Sequence, residues 1–173
     1  MRLKIGETVQ PLFLKTIRGE KLHIPSLDHN CLHLQFRRFA GCPICNLHLR
    51  SFAQRHAEIV ANGVHEVVVF HSSTTELLSL HGGLPFDVIG DPSKGLYRTF
   101  GVGCSLASIL HPSAFWAAMR GIFVTPRALK TEGGSLGLPA DFLLSPAGRI
   151  IAVKYGAHAY DQWGVDELIK LAH

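Results

Sequence analysis

The sequence has few charged residues and no long basic run. Asp, Glu, Lys and Arg together make up 17% of the 173 residues, and the formal net charge is only +4. Arg37 and Arg38 form the sole adjacent pair of basic residues. Nucleic-acid-binding arms carry longer clusters of lysine and arginine, so we expect no nucleic-acid partner.

The sequence also lacks a clear export or membrane signal. Residues 1–15 contain no uninterrupted apolar stretch and no small-residue cleavage site, so no signal peptide is predicted. The longest apolar stretch, residues 101–124, is interrupted by His111, Pro112 and Arg120 and is a poor membrane span. We therefore expect a cytoplasmic protein with no membrane partner.

Cysteine is scarce, with four copies at positions 31, 42, 45 and 104. In a reducing compartment they are not expected to form a structural disulfide framework, whereas a close pair is typical of a catalytic or metal-binding site. Cys42 and Cys45 form such a pair. Cys31 is expected to be inert core, and Cys104 is either a small buried hydrophobic residue or a regulatory thiol.

The chain does carry the hydrophobic patterning of one folded domain, with 47% hydrophobic residues. A hairpin around Gly19 is followed by apolar strands that alternate with helices, then by a second hairpin and a closing helix. This order predicts an α/β fold of three layers, α/β/α, with a central mixed sheet and an N-terminal hairpin. We expect residues 1–173 to form a single domain with an insertion at about 101–136.

The Cys pair lies where a predicted strand, Cys31 to Phe36, gives way to a predicted helix from Pro43 to about Ala61. Cys42 would stand at the helix N-terminus, where backbone N–H groups and the helix dipole favour a thiolate. Pro43 suits the first helical turn because its missing N–H has no intrahelical partner there. Cys45 would lie one turn deeper, within reach of a mixed disulfide on Cys42.

Other interpretations of the pair find less support. A zinc site needs further ligands, but the sequence has no second C-x-x-C, and His48 is turned away from both sulfurs on the same helix. A c-type haem site needs histidine directly after the second cysteine, where this chain has Asn46. Two buried, inert cysteines remain an alternative. We expect neither a metal nor another cofactor.

With a Cys pair at a strand–helix junction, the chain resembles the thioredoxin superfamily, and within it the peroxiredoxin-like alkyl hydroperoxide reductase/thiol-specific antioxidant (AhpC/TSA) family. Four stretches carry the resemblance in the same order as in that family. They are KIGETVQPLFLKTIRGEKLHI, LQFRRFAGCPICNLHLRSF, PFDVIGDPSKGLYRTFGV and LPADFLLSPAGRIIAVKYG. The resemblance covers nearly the whole chain and implies a redox-active dithiol.

The resemblance also implies roles for particular residues. Cys42 matches the nucleophilic cysteine and Cys45 the resolving one, and Pro139 matches a cis-proline that packs beside the pair. A cis X-Pro bond can present backbone to a substrate chain, whereas a trans proline would merely begin a strand. We assign substrate binding to Pro139, Pro43 and Arg38. Arg38 is included because one of the two arginines before the pair would lie near the thiolate.

Two departures from the peroxiredoxin pattern favour one chemistry over another. Gln35 and Phe39 stand where the family has a proline and a threonine or serine, so the hydroxyl that would bind a peroxide is missing. The family's distant arginine has no match in SLGLPADFLL. The sequence therefore predicts a thiol–disulfide oxidoreductase. A peroxidase acting through Cys42 and a non-catalytic binding module are the alternatives.

The expected partners follow from this chemistry. The substrate would be a disulfide-containing protein, a small thiol or a peroxide, and the reductant a cellular dithiol or glutathione. The hydrophobic stretch 104–126, which includes Trp116 and Phe123, either lines a partner surface or packs into its own core. It makes a homodimer possible.

Overall fold

The chain begins with the antiparallel hairpin that the sequence predicts. Strand β1 (Leu12–Lys15) pairs with strand β2 (Lys21–Ile24) in a two-stranded sheet. The turn between them places Gly19 at a φ of 90°, which costs glycine little because it has no Cβ. The computed structural model of the protein describes residues 1–103 and 137–173.

A five-stranded mixed sheet forms the centre of the described structure. Its strands are β3 (Cys31–Phe36), β4 (Val64–Phe70), β5 (Asp87–Gly90), β6 (Ala140–Leu144) and β7 (Ile150–Tyr155). They lie in the order β5-β4-β3-β6-β7, with β3, β4 and β5 parallel and β6 antiparallel to both β3 and β7. The predicted mixed sheet is thus confirmed.

Five helices belong to the described residues, and they cover the sheet. They are α1 (Pro43–Gln54), α2 (His56–Ala61), α3 (Thr74–His81), α4 (Gly95–Thr99) and α5 (Val165–Leu171). Ser73 caps α3, since its hydroxyl accepts a hydrogen bond of 3.4 Å from the Glu76 N–H.

The prediction of one helix from Pro43 to about Ala61 was wrong, because the helix is broken at Arg55. That residue has φ −106° and ψ 17°, outside the helical region. Its guanidinium lies 2.7 Å from a carboxylate oxygen of Glu58 and equally close to one of Asp166 on α5. Beyond the break, α2 buries Ile59 completely.

Two hydrophobic cores lie on opposite faces of the central sheet. One contains buried residues of α1, α2, α3 and α5, including Leu49, Phe52 and Leu168. The other contains residues of the hairpin and α4, including Leu22 and Tyr97. Layers on both faces of a sheet make the three-layer α/β arrangement that the sequence predicts, and the fold is thioredoxin-like.

Several sequence predictions fall outside the described residues. They concern Cys104, the hydrophobic stretch 104–126 with its possible homodimer, and most of the insertion at about 101–136. The assignment of residues 1–173 to a single domain therefore stays a prediction. Within residues 1–103 and 137–173, no helix is both long enough and apolar enough to cross a membrane.

Candidate active site

The Cys pair lies at the carboxyl end of the central strand β3, where the chain turns into α1. Cys42 is the N-cap residue of α1, with extended φ and ψ of −65° and 114°, and Pro43 is the first helical residue. Cys45 follows within the first turn. Both cysteines are free and fully buried.

Hydrogen bonds with β4, the turn after β4, α3 and α4 hold the loop before Cys42 in place. The Ala40 N–H donates to the Ser72 hydroxyl at 3.0 Å, and the Ala40 carbonyl accepts from the His81 Nε2 at 2.8 Å. The Tyr97 hydroxyl lies 2.9 Å from the Val69 carbonyl and also contacts the Arg37 carbonyl. These contacts fix the path of the chain into the pair.

The surroundings of Cys42 favour its thiolate. Burial alone raises the pKa of this thiol, because it removes water from the charged form. The hydrogen bond from the Cys45 thiol and the positive charge of Arg38 outweigh burial, together with the N–H groups of Cys45 and Ile44 at the start of α1. The net result is a pKa lowered from 9.0 to about 7.

Cys45 has the opposite character. Burial, the hydrogen bond to Cys42 and the negative charge of the Cys42 thiolate raise its pKa well above 9.0. Arg38 acts against this rise without reversing it. The two thiols therefore differ in kind: Cys42 ionises near neutral pH, and Cys45 keeps its proton until Cys42 has lost its charge.

Arg38 supplies the cation beside the nucleophile. Its Nη1 lies 3.7 Å from the Cys42 sulfur, as a donor to it, and the side chain is 5% exposed. The guanidinium carbon also stands 5.5 Å from the centre of the Phe39 ring, within cation–π range. Phe39 itself is buried. The position that lacks a peroxide-binding hydroxyl thus carries a ring that supports the arginine.

The prediction of a cis bond before Pro139 was wrong. Among the described residues the cis peptide bond lies between Ile24 and Pro25. Pro139 leads directly into β6, and its carbonyl accepts a hydrogen bond of 2.9 Å from the Gly156 N–H. Ala140, the first residue of β6, pairs with Phe36, the last residue of β3. Pro139 therefore still lies at the end of the sheet where the chain leaves β3 towards the Cys pair.

The second arginine of the pair, Arg37, points into the protein and joins a buried polar network that sequence reasoning missed. Its Nη2 donates to the Asp141 Oδ1 at 2.6 Å, and the same oxygen lies 3.2 Å from the His33 Nε2. The His33 Nδ1 contacts the Glu66 carboxylate at 3.0 Å. Gln35 bridges Arg37 and Glu66. These five side chains are fully buried.

Charge compensation explains how this network tolerates burial. Burial lowers the pKa of His33, but the Glu66 and Asp141 carboxylates raise it to about 9, so the ring is an imidazolium at neutral pH. Arg37 and His33 in turn hold the pKa of Asp141 well below its usual range despite burial. The signal was present in the sequence as polar residues at alternate positions of the strand CLHLQF.

His48 completes the surroundings of Arg37. Its Nε2 lies 3.2 Å from the Arg37 Nη2, and burial together with the charge of Arg37 lowers its pKa well below 6.5. The ring is therefore neutral. Among residues 1–103 and 137–173, no cluster of three His, Cys, Asp or Glu side chains has the arrangement of a metal site.

Solved structures resemble this fold along its length. Peroxidoxin BcpB from Mycobacterium tuberculosis is 14% identical with a TM-score of 0.73, covering 99% of this chain and 97% of that one. A cysteine-to-serine mutant of peroxiredoxin 6 from Arenicola marina is 14% identical with a TM-score of 0.68, covering 98% and 72%. At these identities the likeness establishes the fold.

A third solved structure has a similar fold. A protein assigned as the thiol:disulfide interchange protein DsbE from Chlorobium tepidum is 16% identical with a TM-score of 0.64, covering 99% of both chains. No curated protein matches the sequence significantly. A family model does match it, over residues 49–158, from α1 just after the Cys pair to the loop after β7. That match spans more than half of the chain, which therefore belongs to the AhpC/TSA antioxidant enzyme family and is a redox enzyme.

Proposed function

We propose that the protein is a thiol–disulfide oxidoreductase in which Cys42 is the nucleophile and Cys45 the resolving residue. The observation that carries this assignment is the opposite ionisation of the two neighbouring thiols. The pKa of Cys42 is lowered to about 7, and that of Cys45 is raised well above 9.0. A thiolate with a pKa near ambient pH is the most effective attacking group in thiol–disulfide exchange.

The reaction proceeds in two exchanges. The Cys42 thiolate attacks one sulfur of a substrate disulfide and forms a mixed disulfide, and the other substrate sulfur leaves as a thiolate that takes up a proton. Loss of the Cys42 charge removes the main ionic cause of the high Cys45 pKa. Cys45 then loses its proton to solvent and attacks the Cys42 sulfur. The second substrate thiolate leaves, and two electrons have passed from the protein dithiol to the substrate.

Arg38, Pro43 and Pro139 would assist this cycle from three sides. Arg38 lies against the Cys42 sulfur and stabilises the attacking thiolate and the departing one. Pro43 begins α1 and leaves the N–H groups of the first turn aimed at Cys42. Pro139 lies at the neighbouring start of β6 and contributes extended backbone beside the pair. A cellular dithiol or glutathione would reduce the Cys42–Cys45 disulfide again.

The test is a trapping experiment with single cysteine variants. Cys45→Ser keeps the nucleophile and removes the resolving sulfur, so it should accumulate a mixed disulfide with a small disulfide such as hydroxyethyl disulfide, visible as added mass. Cys42→Ser and the wild type should not accumulate it. Cys31→Ser is the matched control, since Cys31 is a buried cysteine at the opposite end of β3. An adduct that survives in Cys42→Ser would refute the assignment.

A peroxidase is the second candidate, and the burial of Cys42 favours it. The sulfur has no exposed surface. A hydroperoxide of a few atoms can reach a buried sulfur more easily than a folded protein that carries a disulfide can. The Cys42 thiolate would attack the terminal oxygen of the hydroperoxide and become a sulfenic acid, while the alkoxide leaves and takes a proton. The Cys45 thiol would then form the disulfide and release water.

Peroxide consumption distinguishes the two candidates. With a dithiol reductant in excess, a peroxidase consumes hydrogen peroxide at a rate that depends on Cys42 and far exceeds that of a free thiol. We expect the disulfide reaction to be the faster one, because Phe39 leaves no hydroxyl to hold the peroxide. A peroxide rate constant above the disulfide rate constant would reverse the order of the two proposals.

A further inference from the structure

A cavity of about 140 Å³ opens beside the loop that carries the nucleophile. It is far larger than the space one water needs. Its walls combine the apolar surface of Tyr97 and Val102 with two glycines and three nitrogen-bearing side chains. The lining residues are His71, Lys94, Tyr97, Arg98, Val102, Gly103 and Gly137. A mostly apolar cavity with a few convergent polar groups is the usual form of a small-molecule site.

His71 is the residue that marks this cavity as built for a ligand. The side chain is 1% exposed, and neither ring nitrogen has a hydrogen-bond partner among the described residues. Burial and the nearby charges of Lys94 and Arg38 lower its pKa to about 4, so the ring is neutral. A neutral imidazole that lines a cavity without a partner can donate one N–H to an entering acceptor. Buried polar groups are otherwise satisfied in nearly every protein.

Lys94 and Arg98 give the cavity a positive charge. Lys94 occupies a left-handed conformation with φ 58°, which a non-glycine residue adopts only where the surroundings hold it. The carboxylate of Asp91, the nearest acidic group on this turn, accepts from the Gly95 N–H at 2.9 Å and the Leu96 N–H at 2.8 Å. The Arg98 Nη1 donates to the Ser93 carbonyl at 2.7 Å, and Lys94 and Arg98 both line the cavity wall.

The cavity adjoins the nucleophile through Arg38. A Cβ added to Gly137 would lie 3.1 Å from the His71 Nε2 and 3.8 Å from the Arg38 Cγ, so these two side chains meet at this corner of the cavity. The other end of Arg38 contacts the Cys42 sulfur at 3.7 Å. Gly137 leaves this corner open, because it has no side chain.

We propose that this cavity binds the carboxylate arm of a small disulfide substrate, with Lys94, Arg98 and His71 as its anchors. The inference rests on the proposed thiol–disulfide exchange and names the substrate class for it. One half of the disulfide places its carboxylate in the cavity through a short aliphatic chain that lies against Tyr97 and Val102. The disulfide bond then lies at the Gly137 corner of the cavity, beside the Arg38 side chain that contacts Cys42. Exchange proceeds as described, and the products are the protein disulfide and two carboxylate-bearing thiols.

Three disulfides of matched size test the substrate class. Dithiodipropionate carries two carboxylates, hydroxyethyl disulfide is neutral and cystamine carries two ammonium groups. Pre-reduced protein is mixed with each compound, and the rate constant for formation of the Cys42–Cys45 disulfide is measured after quenching with an alkylating agent. We expect the dicarboxylate to react fastest and the diamine slowest.

Variants separate the cavity from the general charge of the protein. Lys94→Gln and Arg98→Gln should each lower the ratio of the dicarboxylate to the neutral rate constant by about tenfold, the value of a charge-assisted hydrogen bond. Lys170→Gln on the exposed surface of α5 removes the same charge away from the cavity and should leave the ratio unchanged. His71→Phe keeps a ring of similar size and removes the donor, and it should also lower the ratio.

The outcomes distinguish failure of the inference from failure of the proposed function. If no disulfide oxidises the wild-type dithiol, the proposed function fails. If all three disulfides react and the ratio is the same in wild type, Lys94→Gln and Arg98→Gln, the exchange stands and the cavity is not the carboxylate site. If Lys170→Gln lowers the ratio of the dicarboxylate to the neutral rate constant as much as Lys94→Gln does, the effect is long-range electrostatic attraction of the substrate. That result would overturn the inference as well.

Discussion

Arg38 donates to the sulfur of Cys42 from 3.7 Å, only four positions earlier in the chain. Cation and nucleophile thus belong to one loop, which Ser72 and His81 hold from neighbouring elements. The resemblance to peroxiredoxins, by contrast, implies an active-site arginine far away in sequence, for which the stretch SLGLPADFLL has no match. Arg38 therefore supplies locally the positive charge that thiolate chemistry requires.

Removal of Arg38 should raise the pKa of Cys42 from about 7 toward its ordinary value of 9.0. In Arg38→Gln, made in a Cys45→Ser background that keeps a hydroxyl donor, we expect the thiolate fraction at pH 7 to fall about tenfold. Ultraviolet thiolate absorbance across a pH titration measures it. Arg50→Gln, an exposed arginine on α1, should not change the titration. A Cys42 pKa that is the same in both variants would contradict the role of Arg38.

The buried His33 should make stability fall as pH rises from 6.5 to 9. Its pKa is raised from 6.5 to about 9 in the folded state, where Glu66 and Asp141 outweigh burial. The stabilisation is therefore complete below pH 6.5 and lost as pH rises through the folded pKa, by about 3 kcal/mol in all. Urea denaturation of a Cys42→Ser variant at several pH values measures it.

The Cys42→Ser background is needed because ionisation of Cys42 changes the free energy of unfolding in the opposite direction over the same pH range. Its pKa is lowered on folding, so its contribution to stability grows as pH rises from about 7 to 9. His33→Gln should abolish the decline that remains in Cys42→Ser, whereas His23→Gln, on the exposed side of β2, should not. A stability that stays constant from pH 6.5 to 9 in Cys42→Ser would exclude a charged His33.

Breaking the buried ion pair between Arg37 and Asp141 should be costly. The two side chains are fully buried and 2.6 Å apart, so either Arg37→Gln or Asp141→Asn leaves an uncompensated charge. We expect each to lower the free energy of unfolding by about 3 to 5 kcal/mol, and the double variant to lose less than the sum. The half-exposed pair of Lys154 and Asp161 offers the control: Asp161→Asn should cost no more than about 1 kcal/mol.

Gly63 should resist substitution for a backbone reason. It ends α2 at φ 73°, and an added Cβ would lie 2.4 Å from the Asn30 amide nitrogen. Gly63→Ala should therefore lower the free energy of unfolding by about 1 to 2 kcal/mol, the cost of a left-handed conformation, with the contact as a further loss. Gly83→Ala, where nothing lies within 4 Å and φ is not positive, should leave stability nearly unchanged. Equal stability of the two variants would contradict this account.

The features that the sequence predicts correctly depend on local chemistry. The C-P-I-C stretch identifies a strand–helix junction because proline suits the first helical turn and Cys42 gains from the N-terminal N–H groups. Gly19 predicts the turn of the first hairpin for an equally local reason. Alternation of apolar and polar residues, together with continuous apolar runs, then predicts the strands of the sheet.

The features that sequence reasoning missed depend on contacts between distant residues. His33, Glu66 and Asp141 lie on three different strands, so only the register of the sheet brings them together. The break at Arg55 accompanies its contact with Asp166, which comes from the far end of the chain. The cis bond expected before Pro139 rested on the resemblance alone, and the structure has a trans bond there.

The position of β3 has a consequence for how the protein behaves when it opens locally. This strand is hydrogen-bonded on both edges, to β4 and to β6, while β5 and β7 form the outer edges of the sheet. Opening begins where few hydrogen bonds have to break, so fraying of an outer strand leaves the centre intact. The dithiol is thus attached to the last strand to exchange its amide protons with water. A partly unfolded molecule would keep its redox pair assembled until the sheet as a whole gives way.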